Sequence, residues 1–261
     1  MNTVRKLKEI RNLIILGSGR SGTSMVAGTL AQSGYFMGNN LLPANDSNPK
    51  GFFEDVSVNR LNEDILDKFT PSPSARFDGL FQRYVPPFNR RWLLLRKGPI
   101  QGVAKPGIAE RISAFVNSEP FCFKDPRFSY TLPIWRPFLR NTRFIVVFRD
   151  PWQTARSIVK ECTTDERLHS LNMTMRLAMR VWNSMYKSIL SMAENNSDWL
   201  FLHYDQVLTE AGLERISSFT GAEVDRDFPE RSLNRTPKAA HFFYRPGQVY
   251  RNLCLAADFG S

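Results

Sequence analysis

Leu13-Ile-Ile-Leu16 runs directly into Gly17-Ser-Gly-Arg-Ser-Gly-Thr-Ser24. The short apolar run, half of it β-branched, reads as a buried strand, and residues 23–34 read as a helix with Gly34 as its stop. A strand, a glycine-rich turn and a helix in that order make a cradle for phosphate. Main-chain N–H groups converge in the turn, and the helix start adds partial positive charge. Gly17, Gly19 and Gly22 let the chain turn tightly and approach an anion closely. The plainer alternative is a strand-to-helix turn that merely uses glycine. A nucleoside-triphosphate loop reads GxxxxGK[ST]. Gly17 and Gly22 keep that spacing, but Thr23 stands where the lysine belongs and the cation lies inside the loop, at Arg20. Without that lysine the β- and γ-phosphates of ATP or GTP lack their usual neutralising charge.

Outward from the loop, apolar runs and helical patterns alternate. Residues 55–69 carry Val58, Leu61, Ile65, Leu66 and Phe69 at helical spacing, and residues 106–117 form another helix candidate. Phe121-Cys-Phe123 is a short strand, residues 130–139 are helical, and Arg143-Phe-Ile-Val-Val-Phe148 is the clearest strand in the chain. Asp150-Pro151 opens a helix to about Cys162, with Asp as N-cap and Pro at the first helical position. Helices over 172–194 and 205–221 flank a strand at Trp199-Leu-Phe-Leu202. This alternation predicts an α/β fold with a P-loop-like central parallel sheet and helices on both faces. Residues 70–100 and the tail 225–261 show no regular period and are expected to be lid or acceptor-site elements.

Composition narrows the class. A chain of 261 residues, 42% of them hydrophobic, suits one α/β domain spanning 1–261. The three cysteines, Cys122, Cys162 and Cys254, contain no CxxC pair, so neither a disulfide framework nor zinc is expected, and a reducing cytoplasm is the simplest setting. Met1–Arg11 has no apolar signal region, and runs such as Phe144–Phe148 are too short to span a bilayer. The net charge of +10 is dispersed, with Arg90-Arg91 and Arg96-Lys97 the tightest clusters. A solvated basic surface or an anionic small ligand fits that better than a nucleic-acid groove.

Gly17–Ser24 resembles the 5′-phosphosulfate loop of the sulfotransferase superfamily, which carries Lys or Arg at the position of Arg20 followed by Ser-Gly-Thr. The resemblance implies that Ser18, Gly19, Arg20, Ser21, Gly22, Thr23 and Ser24 hold the 5′ end of 3′-phosphoadenosine 5′-phosphosulfate (PAPS), with Arg20 also stabilising the bridging oxygen as it leaves. A second match lies more than a hundred residues on. Arg149 ends a buried strand and Ser157 follows eight residues later, the spacing with which this family reads the 3′-phosphate. Arg offers forked, charge-assisted bonds to phosphate and a hydroxyl adds a short one. The plainer alternative for Arg149 is that it pairs with Asp150 or another acid and caps the sheet. Tyr204 in Trp199–Asp205 resembles the family's tyrosine near the adenine, although a core tyrosine at a sheet edge would look the same. Tyr244–Arg251 is similar to the segment that closes over the 3′-phosphate, making Arg245, Gly247 and Arg251 candidates.

For the chemistry, Lys124 matches the family's strand-end lysine that contacts the sulfate, but Pro126 holds the place of the usual catalytic histidine. His169, His203 and His241 remain, and His203 reads as structural. Some bacterial and Golgi-type relatives use a glutamate from the segment after the phosphate-loop helix, which here is Glu54. Its bland alternative is electrostatics at a helix start, shared with Asp55. Asp125 is the other candidate base, or an orienting partner of Lys124. No metal is expected, because Arg20, Lys124 and Arg149 can neutralise the charge. The reaction so implied is sulfuryl transfer from PAPS to a hydroxyl acceptor: a sugar, a phenol or a lipid-like alcohol. Residues 70–100 and 163–171, with Phe77, Phe81, Tyr84, Phe88 and Trp92, would wall the acceptor site. The competing readings are a P-loop kinase using ATP and a non-catalytic nucleotide- or glycan-binding module on the same fold.

Overall fold

The computed structural model describes residues 10–69, 86–193, 197–230 and 247–260. Its centre is a four-stranded sheet in the order β2-β1-β3-β4, built from β1 (Asn12–Leu16), β2 (Cys122–Lys124), β3 (Thr142–Phe148) and β4 (Trp199–His203). All three pairings are parallel, with Ile15 opposite Lys124 and Ile145, and Phe148 opposite His203. Parallel strands need crossovers, and the helices supply them: α1 (Thr23–Thr29), α2 (Val56–Phe69), α3 (Pro106–Val116), α4 (Phe128–Trp135), α5 (Pro151–Thr164), α6 (Met175–Met192), α7 (Tyr204–Val207), α8 (Glu210–Thr220) and α9 (Gln248–Ala256).

The strands are apolar on both sides because both faces are covered. Ile14, Leu16, Phe144, Val146 and Phe148 face one core, shared with residues of α2, α3, α4, α6 and α9. Leu13, Ile15, Ile145 and Val147 face a second, shared with Val26 and Ala27 of α1, Val207 of α7 and Leu213 and Ile216 of α8. A third cluster joins α5 and the start of α6 to Leu93. Among the described residues no helix is long and apolar enough to cross a membrane.

Several boundaries differ from the sequence-based expectation. The helix expected to reach Gly34 ends at Thr29, because Leu30, Ala31 and Ser33 donate to carbonyls three residues back in a tightened turn. The helix expected over 205–221 is two, α7 and α8, since Thr209 caps the second by accepting from the Gly212 N–H. Residues 166–171 form a 3₁₀ turn before α6, which Thr174 caps. Residues 91–93 form a 3₁₀ turn inside the segment expected to be irregular. The tail, expected to be aperiodic, contains α9, which buries Val249, Leu253 and Cys254. The expected cap at Asp150 is present: its carboxylate accepts from the Gln153 N–H at 2.9 Å, and Pro151 follows. Phe77, Phe81, Tyr84 and Arg245 lie outside the described residues.

Candidate active site

In an open parallel sheet the carboxyl ends of the strands, where loops lead into helices, form the natural crevice for a ligand. β1 delivers the Gly17–Ser24 loop there, β2 delivers Lys124, β3 delivers Arg149 and β4 delivers Tyr204.

The loop is folded by close approach. A Cβ on Gly17 would sit 2.3 Å from the Val147 carbonyl, one on Gly19 would sit 2.6 Å from the Trp92 ring, and one on Gly22 would sit 2.5 Å from the Tyr204 ring. Gly17 has φ 149°, Arg20 φ 69° and Gly22 φ 94°, so the turn takes positive φ at three positions. Strain of that kind at a non-glycine persists only where surrounding contacts hold it. The Ser18 N–H donates to the Tyr186 hydroxyl at 3.1 Å, and that hydroxyl donates to the Val147 carbonyl at 2.6 Å, tying the loop to α6 and β3. Gly22→Ala is therefore expected to lower stability by about 1–3 kcal/mol in urea unfolding. An unfolding midpoint equal to the parent's would mean that the close packing of Tyr204 on the loop carries no weight.

Two clusters of cations and acceptors lie along this edge. In the first, Lys124 is almost wholly buried, and its Nζ donates to Glu54 Oε1 at 2.5 Å and to Ser24 Oγ at 3.2 Å. Asn48 Nδ2 donates to the same Ser24 hydroxyl at 3.1 Å, and Asn59 Nδ2 donates to Glu54 Oε2 at 2.8 Å. The helix-start reading of Glu54 does not describe this geometry. Asp55 caps α2 instead, its Oδ1 accepting from the N–H groups of Ser57 and Val58 at 2.8 and 3.0 Å. That leaves the Glu54 side chain to meet Lys124. The residue before it, Phe53, has φ 54°, a second strained position at the site.

In the second cluster Arg20 Nε donates to Ser157 Oγ at 3.1 Å and Arg20 Nη2 to the Ser47 carbonyl at 3.0 Å, with Glu161 Oε2 at 3.7 Å. Arg149 is buried. Its Nε donates to Gln153 Oε1 at 3.1 Å, and its guanidinium lies 4.7 Å from the centre of the Tyr204 ring. Burial, with Arg20 adding like-charge repulsion, pulls the Arg149 pKa below its ordinary value, against the opposing pull of Tyr204, Asp205 and Asp150. The structure thus brings Arg20 and Ser157, assigned from sequence to opposite ends of one ligand, into direct contact.

Asp125, expected beside Lys124 as a second possible base, is fully buried in a different network. Its Oδ1 accepts from Arg127 N and Nη1, each at 2.9 Å, and its Oδ2 accepts from Asn62 Nδ2 at 2.8 Å. Arg127 Nε also donates to Glu63 Oε1 at 2.6 Å. Burial pushes the Asp125 carboxyl up to about 6, with Arg127 opposing it and Glu54 adding to it. The two described histidines stand apart, and His241 lies outside the described residues. His203 is buried, accepts from the Asp205 N–H through Nδ1 and stacks on Phe259, in keeping with a structural residue. His169 lies at the surface, its Nε2 against the Thr163 carbonyl. Ser47, Asn48, Asn59, Glu161 and Tyr186 were not marked by sequence. Only Asn45–Gly51, dense in turn-forming residues, carries a signal that could have drawn attention to two of them.

A family model described as "Sulfotransferase family" matches residues 12–226. The chain belongs to the sulfotransferase family. No curated protein sequence matches it. Among solved structures, the "Sulfotransferase Domain from the Curacin Biosynthetic Pathway" is similar in fold, with a TM-score of 0.53 at 15% identity over 97% of this chain and 99% of that one. The "Sulfotransferase Domain from the Synechococcus PCC 7002 Olefin Synthase" aligns with a TM-score of 0.49 at 14% identity over 95% and 93% of the two chains. For this sulfotransferase-family chain, the matched span contains the loop, Glu54, Lys124, Arg149, Ser157 and Tyr204. Among its described residues no group of three or more His, Cys, Asp or Glu side chains is arranged to hold a metal ion.

Proposed function

We propose that this chain transfers a sulfuryl group from PAPS to a hydroxyl acceptor, with Glu54 as proton acceptor. The supporting observation is that Ser24 of the glycine loop, Lys124 and Glu54 meet in one hydrogen-bonded group beside a second cationic cluster of Arg20, Arg149 and Ser157. A donor with charge at both its 5′ and 3′ ends needs two such clusters, whereas ATP needs one. The donor set suits phosphate and sulfonate oxygens: guanidinium groups, an ammonium, hydroxyls and main-chain N–H groups. The Tyr204 ring, packed on Gly22 and under Arg149, suits the adenine side.

In this reading the acceptor O–H gives its proton to the Glu54 carboxylate as its oxygen bonds to sulfur. The bond from sulfur to the 5′-phosphate oxygen breaks, and the electron pair leaves with 3′-phosphoadenosine 5′-phosphate (PAP). Lys124 and Arg20 stabilise the negative charge that shifts toward that oxygen. Asn59 orients Glu54 through Oε2, leaving Oε1 to Lys124 or to the acceptor. Asp125, closed in by Arg127 and Asn62, positions the end of β2 and takes no proton from the acceptor. Arg245 is assigned to the 3′-phosphate by resemblance alone. A sugar, a phenol and a lipid-like alcohol all fit the acceptor role, and the free, buried Cys122, Cys162 and Cys254 fit a reducing, cytoplasmic setting.

Calorimetry tests the donor assignment. PAP is expected to bind in the absence of Mg²⁺, and ATP at least about tenfold more weakly, since the lysine that neutralises ATP's terminal phosphates is absent from the loop. Tighter binding of Mg²⁺-ATP than of PAP would overturn the reading in favour of a kinase.

A further inference from the structure

Between α6 and the start of α9 lies a groove of about 410 Å³, lined by Arg176, Met179, Arg180, Trp182, Asn183 and Tyr250, with Gly247 at its edge. That volume is within the range of small-molecule sites. None of its described lining residues belongs to the phosphate loop or to the Lys124–Glu54 group. Trp182 and Tyr250 pack with ring centres 6.3 Å apart and give the groove an aromatic floor. Trp182 is 2% exposed, yet its indole N–H finds no hydrogen-bond partner among the described residues. A buried donor left unpaired is costly and uncommon, and it calls for an acceptor from elsewhere.

The polar rim points to the acceptor's charge. Arg176 and Arg180 stand one helical turn apart, both exposed, with Asn183 on the following turn. The groove is therefore polarised, with a doubly cationic side on α6 and an aromatic side at α9. A ligand that satisfies both carries an anionic group on an aromatic ring. Its ring covers Trp182 and Tyr250, its anion sits between Arg176 and Arg180, and one of its acceptor atoms meets the Trp182 N–H.

We propose that the α6–α9 groove is a binding site for a small aryl anion, separate from the donor site at the strand ends. It stands independently of the sulfuryl-transfer reading. The test uses the full chain labelled with ¹⁵N and saturated with PAP, with 1-naphthyl phosphate as the probe. Five tryptophans give five indole signals, and Trp182→Phe identifies the relevant one. The Trp182 signal is expected to shift in a saturable manner. Arg176→Ala/Arg180→Ala, two surface changes that leave the core intact, is expected to weaken the probe at least about tenfold, and the neutral naphthalene-1-methanol to bind at least about tenfold more weakly than the probe. Three results would each overturn the proposal. These are no shift at Trp182, equal affinity in the double variant, or binding seen only without PAP, which would make the groove part of the donor site.

Discussion

On the proposed role of Glu54, turnover of Glu54→Gln is expected to fall by about 10²–10⁴-fold while affinity for PAP stays within about threefold. The substitution keeps the shape of the side chain and an oxygen able to accept from Asn59, but removes the negative charge and the capacity to take a proton. Glu54 is 7% exposed and accepts from both Asn59 and Lys124, so the amide keeps its oxygen on Asn59 and gives up the bond from Lys124. On that role the effect is expected in kcat, because proton removal belongs to the transition state and Glu54 is not itself one of the proposed donor ligands. Single-turnover rates with PAPS and an identified acceptor, beside calorimetric titration with PAP, separate the two. Turnover within about threefold of the parent would remove Glu54 from the chemistry and leave it a structural partner of Lys124.

The largest stability effect is expected at Asp125. Asp125→Ala leaves Arg127 in the core, 4% exposed, with Glu63 as its remaining carboxylate contact, and strips Asn62 of its acceptor. Removing one partner of a buried ion pair costs about 3–5 kcal/mol, far more than the pair contributes relative to an apolar replacement. Asn62 spreads the damage: its Oδ1 accepts from Thr131 and from the Trp135 indole, so its orientation sets the packing of α4. Urea unfolding measures the loss. A cost under about 1 kcal/mol would show that the network around Arg127 closes over the gap, contrary to the rigidity expected of a packed core.

The sheet was legible because its strands are short and largely apolar on both sides, with β-branched residues in β1 and β3, a pattern that a parallel arrangement imposes directly. Asp150-Pro151 was legible because a cap and a proline act within a few residues. The end of α1 and the break before α8 were not, since a tightened turn and a Thr209 cap leave the apolar spacing undisturbed. α9 was obscured by Pro246-Gly247 and by Leu255, an apolar residue that points to solvent. At the site, residue types that carry charge could be named singly, but their pairing could not. Glu54 and Lys124 are separated by seventy positions, and Arg20 and Ser157 by 137. Nothing local distinguishes Glu54 from Asp55, yet the fold makes one a partner of a buried lysine and the other a helix cap. Asp125 shows the converse, since adjacency to Lys124 in sequence suggested chemistry and burial gave it to Arg127.

The three loop glycines are filled from three distant places: the Val147 carbonyl, the Trp92 ring and the Tyr204 ring. The loop is therefore a keystone, shaped by its neighbours and not by its own residues. Tyr204 follows the loop by 180 positions or more, and until it is in place the loop lacks the ring that packs on Gly22. A fragment that contains every loop residue but stops before Tyr204 would still lack the contacts that shape the loop.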